Sequence, residues 1–206
     1  PAGIVSVKNA RWFVIINALL FIGTTWFINP LCFFLSPVAL GVILGYSLTK
    51  RFTALCHLIL GLGLALAPVG AFIAVTGVFA WEPIILGIAV LAWVSGFDII
   101  YALQDEDFDR EHKLNSIPAF LGKNRALNVS NLLHLVAGSM IVLFGYLIGG
   151  SWLFWIGALV FLALLVYQHT LVKPNDLSRV NLAFFTTNGV ASVVFGLFAI
   201  GELLIR

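Results

Sequence analysis

Long apolar segments separated by short turn-forming stretches make up most of the 206-residue chain. Most segments approach or exceed the roughly 20 residues that an α-helix needs to cross a bilayer, and they are too long and continuous for strands of a membrane barrel. Breaks fall at turn-favouring pairs such as Asn29-Pro30 and Gly149-Gly150. The pattern predicts an all-α fold, a polytopic membrane helix bundle with seven transmembrane helices: 13–28, 32–48, 54–78, 84–102, 127–148, 152–172 and 180–205.

Composition supports this prediction. Hydrophobic residues account for 61% of the chain and charged residues for only 10%, whereas a soluble domain carries about 25% charged residues. The seven segments leave no room for a soluble module, so we predict a single membrane-embedded domain over residues 1–206.

The basic residues are distributed unevenly between the two ends of the predicted helices. Ten of the eleven lie before the first segment or after the second, fourth and sixth: Lys8, Arg11, Lys50, Arg51, Arg110, Lys113, Lys123, Arg125, Lys173 and Arg179. The positive-inside rule predicts that this side is cytoplasmic and that the C-terminal Arg206 lies on the opposite side. Because membrane topology explains the basic residues, we expect no nucleic-acid partner.

Acidic residues gather where the fourth segment ends. Asp98, Tyr101, Asp105 and Asp109 would share one face of a continuous helix, within roughly 80°. A carboxylate inside a span, such as Asp98, costs about 2.5–3.5 kcal/mol on insertion scales and usually faces a cavity. Carboxylates are hard oxygen ligands that suit Mg²⁺. Since Asp98 and Asp109 would lie ~16 Å apart on an unbroken helix, a shared metal requires the chain to fold back after about Asp105.

The other acidic residues of this stretch lie off that face. For Glu106, Asp107 and Glu111 a solvated helix end is a sufficient explanation. A second polar group lies at the end of the second segment, where Tyr46 and Lys50 are one helical turn apart and Arg51 follows. Tyrosine and lysine at a membrane border are also ordinary interfacial anchors. Both groups lie on the same predicted side, which favours an anionic, metal-bound ligand between them.

Two motifs then point to a family. The stretch DIIYALQDEDFD fits the DxxYxxxDxxxD pattern of the UbiA superfamily of membrane-embedded aromatic prenyltransferases, and Tyr46 to Lys50 fits the YxxxK motif of that family. The opening PAGIVSV resembles the segment after the first aspartate motif of the family, and SIPAFLGK resembles the loop after the second. The resemblance therefore runs through the whole chain.

The sequence departs from the family in one respect. Members carry nine helices and a first aspartate motif, NDxxDxxxD, which is absent from this sequence. We therefore expect that the first two helices and that motif are missing at the N terminus. The chain would then hold half of the magnesium site, and alone it would be inactive.

The resemblance implies a reaction and a set of roles. Such enzymes ionise an allylic diphosphate and let an aromatic ring attack the resulting cation. Asp98, Asp105 and Asp109 would hold one Mg²⁺, which acts as a Lewis acid on the leaving diphosphate. The remaining candidates are Lys50, Arg51 and Lys113 for the diphosphate, Arg51 for the carboxylate of an aromatic acid, and Tyr101 and Tyr46 as hydrogen-bond donors beside them.

The substrates follow from the resemblance and leave two acceptors open. The first is 4-hydroxybenzoate, prenylated by polyprenyl diphosphate for ubiquinone synthesis in a bacterial cytoplasmic membrane. The second is a dihydroxynaphthoate for menaquinone, because KRFTALCHLILGLGLALAPVGAFIAVTG resembles a subgroup of which some members serve that pathway.

The alternative from another class of function is a transporter in which Asp98 belongs to a cation pathway. A transporter predicts acidic residues throughout the bilayer depth, whereas here they gather at one membrane boundary. The four histidines are scattered without metal-type spacing and receive no role: His57, His112, His134 and His169.

Overall fold

The computed structural model describes residues 3–205, so Pro1, Ala2 and Arg206, which belong to the predicted domain and to the predicted topology, lie outside it. Within this range the chain forms α1 (Val7–Trp26), α2 (Pro30–Thr49), α3 (Cys56–Thr76), α4 (Trp81–Ala102), α5 (Glu106–Glu111), α6 (Ile117–Leu121), α7 (Lys123–Leu147), α8 (Trp152–Leu171) and α9 (Asn188–Ile205). A 3₁₀ turn (Leu103–Asp105) follows α4, and a π-helical segment (Leu182–Thr187) precedes α9.

Six helical segments within residues 3–205 are long and apolar enough to cross a membrane: Pro30–Thr49, Cys56–Thr76, Trp81–Glu111, Lys123–Leu147, Trp152–Leu171 and Leu182–Ile205. They coincide with six of the seven predicted segments, and the prediction of an all-α membrane bundle is confirmed. Helix α1 covers the remaining segment over 20 residues. Its first turns carry the polar Lys8, Asn9 and Arg11, which lower its hydropathy. A seventh membrane crossing therefore stays a prediction.

Side chains satisfy the exposed N–H groups at several helix starts, as a low-dielectric environment requires. Asn29 Oδ1 accepts a hydrogen bond from Cys32 N at 2.9 Å at the start of α2. At the start of α8 the acceptor comes from another helix, because the buried Glu202 of α9 accepts from Ser151 N at 2.9 Å and from Phe154 N at 3.3 Å. Glu202 therefore fastens α9 to the first turn of α8.

Helix α4 is central and packs closely against α3 and α7 through small residues. An added Cβ at Gly61 of α3 would overlap the Ser95 hydroxyl and lie 2.5 Å from the Leu91 carbonyl oxygen. One residue after Ser95 on α4, the Gly96 carbonyl oxygen accepts a hydrogen bond from Ser130 Oγ of α7 at 2.7 Å. Small residues let helix backbones approach, and buried hydroxyls then link them. This packing fixes α4 and the polar residues at its end.

The helix that carries the predicted acidic stripe, the shared face of Asp98, Tyr101, Asp105 and Asp109, is interrupted. Its α-helical part ends at Ala102, the 3₁₀ turn follows over Leu103–Asp105, and α5 begins at Glu106. A 3₁₀ turn has about 3.0 residues per turn instead of 3.6, so the residues beyond it rotate relative to α4. The acidic stripe is therefore not a continuous α-helical face. Helical structure nevertheless continues to Glu111, so the fold-back after Asp105 that a shared metal requires stays a prediction.

The π-helical segment is stabilised by polar side chains that bind its carbonyl groups. Asn188 Nδ2 donates to the Phe184 oxygen at 2.8 Å, Gln168 Nε2 to the Ala183 oxygen at 3.0 Å, and Thr187 Oγ1 to the Leu182 oxygen at 3.1 Å. π-Helical turns occur frequently at functional sites. Here the segment brings phenylalanine rings against the end of α4.

Candidate active site

Lys50 and Asp109 form an ion pair between the end of α2 and α5. Lys50 Nζ lies 2.8 Å from Asp109 Oδ1; the Asp109 side chain is completely buried, and the Lys50 side chain is about a third exposed. Apart from this ion pair, neither Asp109 oxygen has a hydrogen-bond partner within residues 3–205. A carboxylate has about four acceptor positions. Asp109 therefore has unused acceptor capacity next to a partly exposed cation.

The loop after α5 holds this pair in place. Asn115 N donates to the Lys50 carbonyl oxygen at 2.7 Å, and Leu114 N donates to the Asp109 carbonyl oxygen at 2.8 Å. Lys113, two residues after the end of α5, has a φ of 54°, in the left-handed region that non-glycine residues rarely adopt. The backbone of one loop thus links both members of the ion pair.

Asp98 is paired with His57, a residue to which the sequence assigned no role. His57 Nδ1 lies 2.6 Å from Asp98 Oδ2, and His57 Nε2 lies 3.3 Å from Ile117 N. The Ile117 N–H can only donate, so Nε2 is the acceptor and Nδ1 carries the proton that is donated to Asp98. His57 is almost fully buried, and the Asp98 side chain is 22% exposed. The position of His57, at the same predicted membrane border as the acidic residues, is the sequence feature that could have indicated this pairing.

Tyr101 belongs to an aromatic row. Its ring centroid lies 4.3 Å from that of Phe184 and 6.0 Å from that of Phe185, both in the π-helical segment. Phe97, one turn earlier on α4, contacts Phe184 at 5.4 Å, and Trp93, a further turn back, contacts Phe97 at 5.6 Å. Local sequence pattern assigns no role to these phenylalanines, and only the packing of the two segments reveals this row.

Three of the predicted site residues remain apart from these contacts. Tyr46, Arg51 and Lys113 are exposed, and their side chains form no ion pair or hydrogen bond within the described part of the chain. Arg51 directly follows Lys50, so it lies at the same end of the bundle. Asp105 is partly buried and likewise has no ion pair there.

The sequence predicts that the acidic residues outside the stripe are solvated, but Glu106 is not. It is buried, its Oε1 lies 2.7 Å from Arg110 Nη2, and its Oε2 lies 4.0 Å from Lys123 Nζ. The interpretation of Glu106 as solvated is therefore wrong, because α5 turns this residue inwards against two cations. Asp107 and Glu111 are exposed, as a solvated helix end requires.

Binding of Mg²⁺ at this site would depend on the carboxylates of Asp98, Asp105 and Asp109. Within residues 3–205 no three His, Cys, Asp or Glu side chains lie close enough together to hold a metal ion. The donors nevertheless fit Mg²⁺ in kind, because it takes oxygen ligands and keeps several waters, and the buried Asp109 oxygens have no hydrogen-bond partner within residues 3–205 beyond the ion pair with Lys50. A magnesium site of Asp98, Asp105 and Asp109 stays a prediction.

Comparisons of this chain with known proteins find one family and relatives that share one name. A profile described as the UbiA prenyltransferase family matches residues 1–190. The chain is 28% identical over 194 residues to a 4-hydroxybenzoate octaprenyltransferase of Francisella tularensis subsp. mediasiatica (strain FSC147), covering 94% of this chain and 68% of that protein. A protein of the same name from Citrobacter koseri is 30% identical over 196 residues, covering 95% of this chain and 67% of that protein.

A solved structure has the same fold. The apo structure of a UbiA homologue from Aeropyrum pernix K1 superposes with a TM-score of 0.88 at 28% identity, covering 98% of this chain and 74% of that one. The chain therefore belongs to the UbiA prenyltransferase family, whose members transfer prenyl groups, and it is an integral membrane protein.

Proposed function

We propose that this protein transfers a polyprenyl group from polyprenyl diphosphate to 4-hydroxybenzoate, a step of ubiquinone synthesis. The observation that carries the proposal is the pairing of the partly exposed Lys50 with the buried Asp109, whose oxygens retain acceptor capacity. This pair lies at the end of apolar helices, on motif residues of a prenyltransferase family. The names of the two bacterial relatives support the choice of acceptor.

The diphosphate is bound by cations from two connections. Lys50 contacts it as a point charge, and the unpaired, exposed Arg51 and Lys113 add to the positive potential at the same end. Asp98, Asp105 and Asp109 would hold Mg²⁺, which supplies Lewis-acid stabilisation of the leaving diphosphate when bound. His57 fixes the carboxylate of Asp98 for that task.

The reaction breaks the bond between the allylic carbon and the diphosphate oxygen, and the diphosphate leaves with the electron pair. The allylic cation then forms a carbon–carbon bond with the aromatic ring, which afterwards loses a proton to the released diphosphate or to water. The row formed by Trp93, Phe97, Tyr101 and Phe184 offers aromatic faces to a cation. The Tyr101 and Tyr46 hydroxyls are available as hydrogen-bond donors to the diphosphate.

Arg51 is the candidate for the carboxylate of the acceptor, because its planar guanidinium pairs with a carboxylate through two hydrogen bonds. We place this end of the bundle on the cytoplasmic side of the membrane, because ten of the eleven basic residues belong to that side. Both substrates would therefore enter from the cytoplasm or from the inner leaflet.

The test, like the activity measurements on variants, uses membranes that contain the protein in its full natural length, from a host without its own enzymes of this type. Radiolabelled polyprenyl diphosphate is supplied with Mg²⁺ and either 4-hydroxybenzoate or 1,4-dihydroxy-2-naphthoate, and labelled lipid product is extracted. We expect product with 4-hydroxybenzoate, and none from an Asp109→Asn variant or in the presence of excess EDTA. Label with the naphthoate alone would move the function to menaquinone synthesis. Label with neither acid would contradict prenyl transfer to both.

A further inference from the structure

A groove of about 590 Å³ lies between α7 and α8, and neither Lys50 nor Asp109 belongs to its lining. Its walls are mainly apolar, and none of the residues that line it is charged. Two histidines, His134 of α7 and His169 of α8, contribute to its lining together with Asn131 and Ser139. No part of the proposed transfer reaction uses these side chains.

The two histidines form a hydrogen-bonded pair with a defined direction. His134 Nε2 lies 3.2 Å from the Trp93 carbonyl oxygen, and His134 Nδ1 lies 2.7 Å from His169 Nε2. A carbonyl oxygen only accepts, so in the neutral ring His134 Nε2 carries the hydrogen and Nδ1 is an acceptor. His169 must then donate from Nε2, which leaves its Nδ1 as an acceptor.

This acceptor has no partner in the described part of the chain. His169 Nδ1 forms no hydrogen bond with any group in residues 3–205. The neutral form of the pair is the relevant one, because a charged side chain is costly within a bilayer. Gly96 fixes the pair, since an added Cβ there would overlap the His134 ring. The groove therefore offers a preset hydrogen-bond acceptor and no donor from this pair.

The remaining lining extends away from the histidines along both helices. From His134 to Val142 on α7, and from His169 to Leu162 on α8, the lining covers about 10–12 Å of helix. His169 lies in the last turn of α8, so the polar end of the groove is at the same end of the bundle as the basic residues. The apolar part runs towards the middle of the membrane.

We propose that this groove binds a membrane-dissolved lipid whose head is an uncharged phenol or quinol, with its hydroxyl donating to His169 Nδ1 and its hydrocarbon tail lying along α7 and α8. A phospholipid head is disfavoured because no charged side chain lines the groove. A prenyl diphosphate is disfavoured for the same reason. The site does not depend on the reaction proposed above.

The test measures binding of tritiated 4-nonylphenol to the protein in nanodiscs of phosphatidylcholine, with 4-nonylanisole as the competitor that lacks the hydroxyl donor. We expect saturable binding of one phenol, and about three- to tenfold weaker competition by the methyl ether, the value of one neutral hydrogen bond. His169→Phe removes the acceptor and should weaken phenol binding by the same factor. His169→Asn keeps an acceptor near the position of Nδ1 and should recover part of it.

The matched control is Tyr167→Phe, which removes a hydroxyl from an exposed position on the same helix outside the groove lining. Thermal midpoints show that each variant is folded, and Gly138→Leu, which fills the groove, provides a second way to abolish binding if His169→Phe does not fold. Equal competition by phenol and methyl ether, wild-type binding by the folded His169→Phe variant, or absence of saturable binding would each overturn the proposal. Displacement of the phenol by added phosphatidylglycerol would overturn it in favour of a phospholipid site.

Discussion

His57 links Asp98 to the start of α6, donating from Nδ1 to Asp98 Oδ2 over 2.6 Å and accepting at Nε2 from Ile117 N over 3.3 Å. We expect His57 to be a positioning residue, because the aspartate is the proposed ligand and the histidine restricts its rotation. His57→Gln, whose amide cannot take the place of Nδ1, should lower kcat roughly 10–100-fold, as loss of an outer partner of a metal ligand does.

Rescue distinguishes positioning from simple packing. His57→Asn presents an N–H near the position of Nδ1 and should retain more activity than His57→Gln, although it loses the contact with Ile117. The exposed His112 provides the control, and His112→Asn should leave prenyl transfer unchanged. Equal activity of the two His57 variants, measured as initial rates at saturating substrates, would contradict the positioning role.

We expect Lys50 both to bind the diphosphate and to stabilise the fold, and a double substitution separates the two effects. Lys50→Gln should lower prenyl transfer roughly 100-fold because a cation next to the leaving diphosphate is lost. It should also lower the thermal midpoint, because Asp109 is left as a buried, unpaired charge. Adding Asp109→Asn should restore the midpoint but not the activity.

The control for Lys50 is Lys173→Gln, since Lys173 is exposed in the connection after α8. It should match the wild type in both measurements. Recovery of activity together with stability in the double variant would show that Lys50 and Asp109 serve the fold alone.

Substitution of Asp105 and of the nearby Asp107 tests whether the residues of the acidic stripe bind Mg²⁺. Asp105→Ala should abolish most of the Mg²⁺-dependent turnover, a loss of roughly 100-fold or more, whereas Asp107→Ala should remain within about twofold because Asp107 is exposed and off the stripe. The measurement is a titration of prenyl transfer with Mg²⁺. Undiminished turnover of Asp105→Ala would refute its role as a ligand.

The close contact between α3 and α4 can be tested on one helix. Gly61→Ala should destabilise the protein by about 1–3 kcal/mol, because the new methyl group meets the Leu91 carbonyl oxygen, which belongs to the backbone and cannot move aside. Gly63→Ala is the matched control, since its Cβ would meet only side-chain carbons at 3.9 Å or more. Thermal inactivation in detergent measures both, and equal midpoints would contradict the close approach.

The sequence alone determined the class of fold, the limits of most helices and the motif residues of the family. Membrane-spanning helices are visible in a sequence because each must be apolar over its full length, whatever its neighbours are. The aspartates and Lys50 could be named for a similar reason, since a charge next to an apolar segment has few structural explanations.

Only the tertiary structure decided which groups meet. His57 and Asp98 are 41 positions apart, and His134 and His169 are 35 apart, so their pairing depends on how α3, α4, α7 and α8 pack and not on local pattern. The same reason explains Glu106, which local pattern treats as one more acid of a solvated helix end but which packing buries between Arg110 and Lys123. Hydropathy is a property of single segments, whereas a hydrogen bond or an ion pair is a property of two segments brought together.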